Sequence, residues 1–255
     1  MRAQVCSAAG EAAMARGRYE QAQSEYEEAL HLAYEVGAHA EAPFLIARLG
    51  EIAYRSGDTP LAEGALAEAD AEADRYGAVD ARAFVRALSS TIALGEGDAV
   101  RAREECEAAR DQGERTTPPP QFDAAIAHPD GRVTAAESTP RAGLPLLAEG
   151  LRRAVPARCA ELVLATLTES VAVLLLAPDD PARAARLHWA ATARRSGRPR
   201  SQPERAEADS VEDGLRTALG EQRYARERTA GAALTAKDVL GEVSAGEREL
   251  GIAWP

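Results

Sequence analysis

The apolar positions along this chain recur at the three-to-four-residue spacing of amphipathic helices, and most of them are filled by alanine. The pattern predicts helices over about 3–16, 19–36, 41–56, 59–76, 79–95, 99–114, 121–128, 139–154, 157–177, 181–195, 203–219, 221–230 and 235–243. Between them fall the punctuators that helices need, with Gly17, Gly57 and Gly97 at turns and Asp58, Asp98 and Asp180 at positions suited to N-caps. Residues 115–137 break the rhythm. Thr116-Thr117-Pro118-Pro119-Pro120 is unsuited to a helix interior, and His128-Pro129-Asp130-Gly131 reads as turn chemistry, so this segment is expected to be a hinge or an ordinary inserted loop.

The helices repeat in pairs. Gly17 leads to Ala22, Tyr26 and Ala29; Gly57-Asp58 leads to Ala62, Leu66 and Ala69; Gly97-Asp98 leads to Ala102, Cys106 and Ala109. A further step reaches Ala142 and Leu146, with Glu149 in place of the last alanine, and a final one reaches Ala184, His188 and Ala191. Leu49-Gly50 supplies the large and then small residue of a preceding helix. This small–large–small spacing resembles the tetratricopeptide (TPR) repeat, in which two antiparallel helices approach closely through small residues while a large one fills the gap to the next pair. The expected fold is all-α: a TPR-type α-solenoid of about five helical hairpins, period about 40, over 1–195, then a basic loop and C-terminal capping helices over 196–255.

Composition narrows the chemistry. Of the 30 basic residues 29 are arginine, and the only lysine, Lys237, has no Gly-rich phosphate loop before it, so a Walker-type nucleotide site is not expected. The four histidines make no His-Glu-x-x-His pattern and Cys6, Cys106 and Cys159 no Cys-x-x-Cys pair; neither metal nor cofactor is expected. Cys159 is the one thiol expected at the surface, and His188 is expected in the core. No signal-type apolar stretch follows Met1, and Val171–Ala177 is too short to span a bilayer, so a cytoplasmic, non-membrane protein is expected. The net charge of −11 is uneven: residues 1–150 carry −12, 151–200 carry +5 and 201–255 carry −4. An acidic surface repels a phosphate backbone, which argues against direct nucleic-acid binding.

Asp180-Pro181, Arg183-Ala184-Ala185-Arg186-Leu187 and Ala190-Ala191, followed by Pro203-Glu204-Arg205-Ala206-Glu207, Leu215 to Glu221, Tyr224-Ala225 and Leu234-Thr235, form a recognisable run. It resembles the C-terminal TPR region of large actinobacterial regulators of the SARP and LuxR types. Trp189 departs from the small residue common there. The resemblance implies a sensory or protein-interaction region of a transcriptional regulator of secondary metabolism. It also implies attached DNA-binding and NTPase modules if the chain is a fragment, with a protein or peptide partner or a small-molecule effector. The alternative is a free-standing scaffold that assembles proteins or homodimerises.

In such a solenoid the first helix of each pair lines the groove. Repeat spacing then places Glu11 and Met14, Phe44, Glu51, Tyr54 and Arg55, and Phe84, Thr91 and Leu94 on or near it. The aromatic and arginine members are the types that anchor binding, and packing between repeats is the competing role for Phe44 and Phe84. A second candidate is the basic run Arg183, Arg186, Arg194, Arg195, Arg198 and Arg200, which would dock an acidic partner or form a solvated face. No nucleophile, base and orienting acid come together in the sequence, so catalysis is not expected; a helical enzyme would need 115–137 as its lid.

Overall fold

A computed structural model of the chain describes residues 2–113, 115, 120–176, 180–198, 200–249 and 251. Among these there are thirteen α-helices and no strand. They are α1 (Arg2–Met14), α2 (Tyr19–Glu35), α3 (Ala42–Arg55), α4 (Thr59–Tyr76), α5 (Val79–Gly95), α6 (Ala99–Gly113), α7 (Pro120–Glu137), α8 (Pro140–Ala154), α9 (Glu161–Leu176), α10 (Pro181–Arg194), α11 (Gln202–Leu219), α12 (Glu221–Ala232) and α13 (Ala236–Glu249). A single 3-10 turn, His39–Glu41, precedes α3. No described helix is long and apolar enough to cross a membrane.

The chain forms two compact units, one of residues 1–118 with 198–203, the other of 119–197 with 204–255. In the first, α1 packs on α2, α3 on α4 and α5 on α6, each hairpin also touching the next, and α3 and α5 lie side by side. In the second, α7 pairs with α8 and α9 with α10; α12 then packs on α10, and α13 rests on α8 and α10.

A single packing rule runs through all five hairpins. The first helix carries a small buried residue at Gly10, Gly50, Ser90, Gly131 and Ala172, and sixteen residues later the second helix carries Tyr26, Leu66, Cys106, Leu147 and His188. A Cβ on Gly10 would lie 2.7 Å from the Tyr26 ring, one on Gly50 3.3 Å from Leu66, and one on Gly131 2.6 Å from Leu147. Ser90 Oγ instead meets Cys106 Sγ at 3.0 Å and donates to the Ala102 carbonyl at 2.7 Å, so its polar atom is satisfied in a fully buried position. The large residue is flanked by small ones, Ala22/Ala29, Ala62/Ala69, Ala102/Ala109, Gly143/Gly150 and Ala184/Ala191, all buried. Close packing of helices through small residues explains why alanine, with little area to bury, is so abundant here.

The turns follow the expected chemistry. Gly17, Gly57 and Gly97 have φ of 70°, 90° and 81°, a region that L side chains avoid. Asp58, Asp98 and Asp180 accept hydrogen bonds from the backbone N–H groups of Leu61, Arg101 and Arg183, as N-caps should.

Three expectations are corrected. The helix expected over 121–128 runs on to residue 137, so 129–137 is not a loop; Pro129, Asp130 and Gly131 are buried inside it. Pro129 forgoes one helical hydrogen bond, but the hairpin needs a residue without a side chain at 131, and packing overrides the local turn preference. Of the rest of that segment, residues 114 and 116–119 lie outside the described residues. The fourth hairpin is also one residue out of the expected register. Its close-packed residues are Gly143, Leu147 and Gly150, not Ala142, Leu146 and Glu149, so the repeat lengthens from 40 to 41 residues in the second unit. Finally, Cys159 is 4% exposed within the apolar core of that unit, and burial raises its thiol pKa.

Candidate functional site

The groove candidates of the first unit converge on a residue that repeat spacing did not single out, Arg48. Phe44, Arg48, Glu51 and Arg55 follow one another at intervals of four, three and four, which places them on one face of α3. The Arg48 guanidinium lies 5.0 Å from the Phe44 ring centre and 4.7 Å from that of Phe84 on α5, and the two rings meet tilted with centres 5.3 Å apart. Arg48 Nη1 donates to Glu51 Oε2 at 2.6 Å and its Nη2 to Glu11 Oε2 on α1 at 2.9 Å. Arg55 Nε donates to the other Glu51 oxygen at 2.8 Å, and the Tyr26 hydroxyl on α2 donates to Glu11 Oε1 at 2.9 Å.

Three first helices, α1, α3 and α5, are thereby tied into one network. Its formal charges alternate and cancel: Glu11, Arg48, Glu51, Arg55. Burial pushes the Glu51 carboxyl upward, but Arg55 and Arg48 outweigh it and bring the pKa down from 4.5 to about 2. Burial is also the main reason that the Tyr26 hydroxyl is held far above its usual range; Arg48 opposes it and Glu11 reinforces it. The network is closed at its floor and open at its rim. The Glu51 side chain is 11% exposed and Arg48 19%, while Glu11 is 42% exposed.

The remaining candidates divide. Tyr54 is half-buried against the α3–α5 core, and a Cβ on Gly95 would sit 2.7 Å from its hydroxyl. Thr91 is half-buried and donates to the Ala87 carbonyl of its own helix at 3.1 Å, and Leu94 is half-buried beside it on α5. Met14 is a correction: at 8% exposure it belongs to the core between α1 and α2, because position 14 falls on the buried side of its helix. Tyr26, which sequence reasoning assigned only to packing, contributes its hydroxyl to the site.

The basic run is not a free docking patch, and this second candidate is corrected too. Arg183 is bonded to Asp180, Glu242 and Glu249, Arg186 to Glu227 and Glu242, Arg194 to Glu161, and Arg195 to Glu169 and Glu204. Carboxylates of α9, α11, α12 and α13 have reached these arginines within the same unit. Arg198 and Arg200 are half-buried in the segment after α10. Trp189, the departure from the regulator pattern, packs edge-on to Tyr224 of α12 with the Arg228 guanidinium 4.3 Å from its ring centre.

One side-chain pair has the atoms of a nucleophile and a base. His128 Nδ1 lies 2.8 Å from Ser170 Oγ, but Ser170 is 2% exposed and donates its proton to the Thr166 carbonyl at 3.0 Å. The imidazole N–H is then the donor to the hydroxyl, which makes the pair a fastening between α7 and α9. Among the described residues no cluster of three His, Cys, Asp or Glu side chains is placed to hold a metal ion. No protein-family model and no curated protein sequence matches this chain.

Proposed function

We propose that this protein is a non-catalytic helical-repeat interaction module of the TPR type, acting as the sensory or protein-interaction region of an actinobacterial transcriptional regulator of secondary metabolism. It holds a protein segment or a small effector on the surface formed by α1, α3 and α5. The observation that carries this reading is the Arg48 network, which spans three successive hairpins and presents rings, guanidinium groups and the half-open Glu11 carboxylate at one place. Contact between α3 and α5 supports the first helices as the inner, concave side of the repeat.

The mechanism is a shift of population. A ligand that exchanges with Glu11 on Arg48, or covers the Phe44 and Phe84 rings, prefers one angle between neighbouring hairpins. Only that difference in affinity passes to an attached module. Selection of a random-peptide phage library on the whole chain tests the site. Selected peptides should weaken by at least about tenfold with the double substitution Tyr54→Ala, Arg55→Ala, the loss typical of an anchor residue, while circular dichroism stays helical. The milder Glu11→Gln, at the rim, should shift the same peptides without disturbing the buried floor. Peptides that bind wild type and both variants alike would remove the groove from the proposal.

A further inference from the structure

The arginines of α8 and α10 meet helix α13 in an unusual way. The face that α13 turns toward its unit carries Val239, Glu242, Val243, Gly246, Glu247 and Glu249, a helical stripe mixing two valines with three carboxylates. Glu242 grips Arg186 with both oxygens, at 3.0 and 2.8 Å, and reaches Arg183 Nε at 3.3 Å. Glu249 accepts from Arg183 Nη2 at 2.9 Å, and Glu247, 3% exposed, accepts from Arg152 Nη1 at 2.9 Å. Gly246 lies flat on the Arg183 side chain, where an added Cβ would come within 3.2 Å of its Nη1.

The neighbouring helix is attached differently. On α12, Gly231 presses on backbone, so that a Cβ there would lie 2.3 Å from the Arg186 carbonyl oxygen, and Tyr224 is 2% exposed in the core. That helix is built into the unit. Helix α13, fourteen residues long, fully buries only Val239 and Val243 among its large apolar side chains. Its hold combines that modest apolar burial with guanidinium–carboxylate pairs, several of them buried and so only weakly screened by salt.

We infer that Arg152, Arg183 and Arg186, with the apolar surface between α8 and α10, form a docking site for an acidic amphipathic helix, and that α13 occupies it in cis. The occupant chemistry is displayed by α13 itself: apolar residues four apart, a carboxylate three after the first valine, and further carboxylates one and two turns beyond. A partner helix with that pattern replaces α13 and leaves the guanidinium groups paired, so no buried charge is stranded by the exchange. This inference concerns the second unit and stands independently of the groove proposed above.

Hydrogen-exchange mass spectrometry of the whole chain tests whether α13 lifts. At about 0.15 M NaCl the amides of 236–249 should exchange at least about tenfold faster than those of α9, α10 and α12. Exchange of α13 in step with α10 would overturn the inference by showing an integral helix. The partner chemistry is read with a fluorescein-labelled peptide of residues 235–249 added to the full chain carrying Glu242→Gln, which loosens the cis helix. Saturable binding is expected, with at least about tenfold weaker binding of the same peptide bearing Glu242→Lys and Glu247→Lys. Absence of binding, or equal binding of the charge-reversed peptide, would refute the docking site even if α13 proves mobile.

Discussion

Replacing Glu51 with glutamine tests the physical account of the Arg48 network directly. The substitution keeps shape and one acceptor but removes the charge that faces Arg48 and Arg55, and it places amide N–H groups against a guanidinium. The free energy at stake follows from linkage. A carboxyl whose pKa falls from 4.5 to about 2 on folding contributes about 3 kcal/mol of stability at neutral pH. Because the folded pKa is depressed, this contribution is complete above the unfolded pKa and disappears as pH falls through the folded one. The arginines stay charged throughout, so the wild-type advantage over Glu51→Gln should be about 3 kcal/mol at pH 7, about 1 kcal/mol at pH 3, and near zero below pH 2. For a chain of this length the neutral-pH loss corresponds to roughly 6–12 °C in Tm. Urea unfolding of both proteins at pH 7, 5, 4 and 3, followed by circular dichroism, measures the gap. A gap below about 1 kcal/mol at pH 7, or one that stays constant down to pH 3, would show that the two arginines do not hold Glu51 as described.

Two further outcomes follow from the packing. Gly143→Ala should destabilise the chain by at least about 2 kcal/mol, because the new Cβ would lie 2.0 Å from the Gly131 carbonyl oxygen and backbone on both sides has no room to yield. Ala142→Gln, one residue earlier and half-buried, should cost under about 1 kcal/mol; equal effects in thermal unfolding would return the fourth hairpin to its sequence-derived register. Glu169→Ala should cost about 2 kcal/mol by removing the nearer of the two carboxylates that pair with Arg195, whose side chain is 3% exposed, and adding Arg195→Met should recover part of that loss. A double variant no more stable than Glu169→Ala alone would contradict the pairing.

The helical content, the first three hairpins, the turn glycines and the aspartate caps were legible because each depends on local spacing that repeats every 40 residues. What escaped was set by contacts distant in sequence. Gly131 reads as a turn residue beside Pro129 and Asp130, and only its apposition to Leu147 and Gly143 shows why a helix retains it there. The same apposition explains the register error, since Ala142-Gly143 offers two adjacent small residues and local pattern favours the alanine. For the site, the aromatic and acidic members were found by repeat position, but Arg48 was not, although its place between Phe44 and Glu51 on one helical face was available as a signal. The basic run was misjudged for a related reason. Charge composition shows that arginines cluster, and it takes the fold to show that α9, α11, α12 and α13 bring six carboxylates to four of them, with Asp180 at the start of α10 as a seventh.

These observations connect composition to architecture. With aromatic residues at 4% and alanine at most close-packed positions, each hairpin buries modest apolar area, so helix-to-helix adhesion needs another source. In the first unit Arg86 bridges Asp70 of α4 and Glu105 of α6, Arg82 joins Asp70 and Asp74, and Arg101 joins Glu63 and Glu96, while Arg48 joins α1 to α3. Each of these cations serves two carboxylates at once, which suits the planar, forked guanidinium and not the compact ammonium of lysine. The near-exclusive use of arginine is therefore matched to a fold whose neighbouring helices are fastened by two-armed cations. On the two proposals made above, a partner carboxylate takes the place of Glu11 on Arg48 or of the acidic stripe of α13 on Arg183 and Arg186, and either swap leaves every buried charge paired.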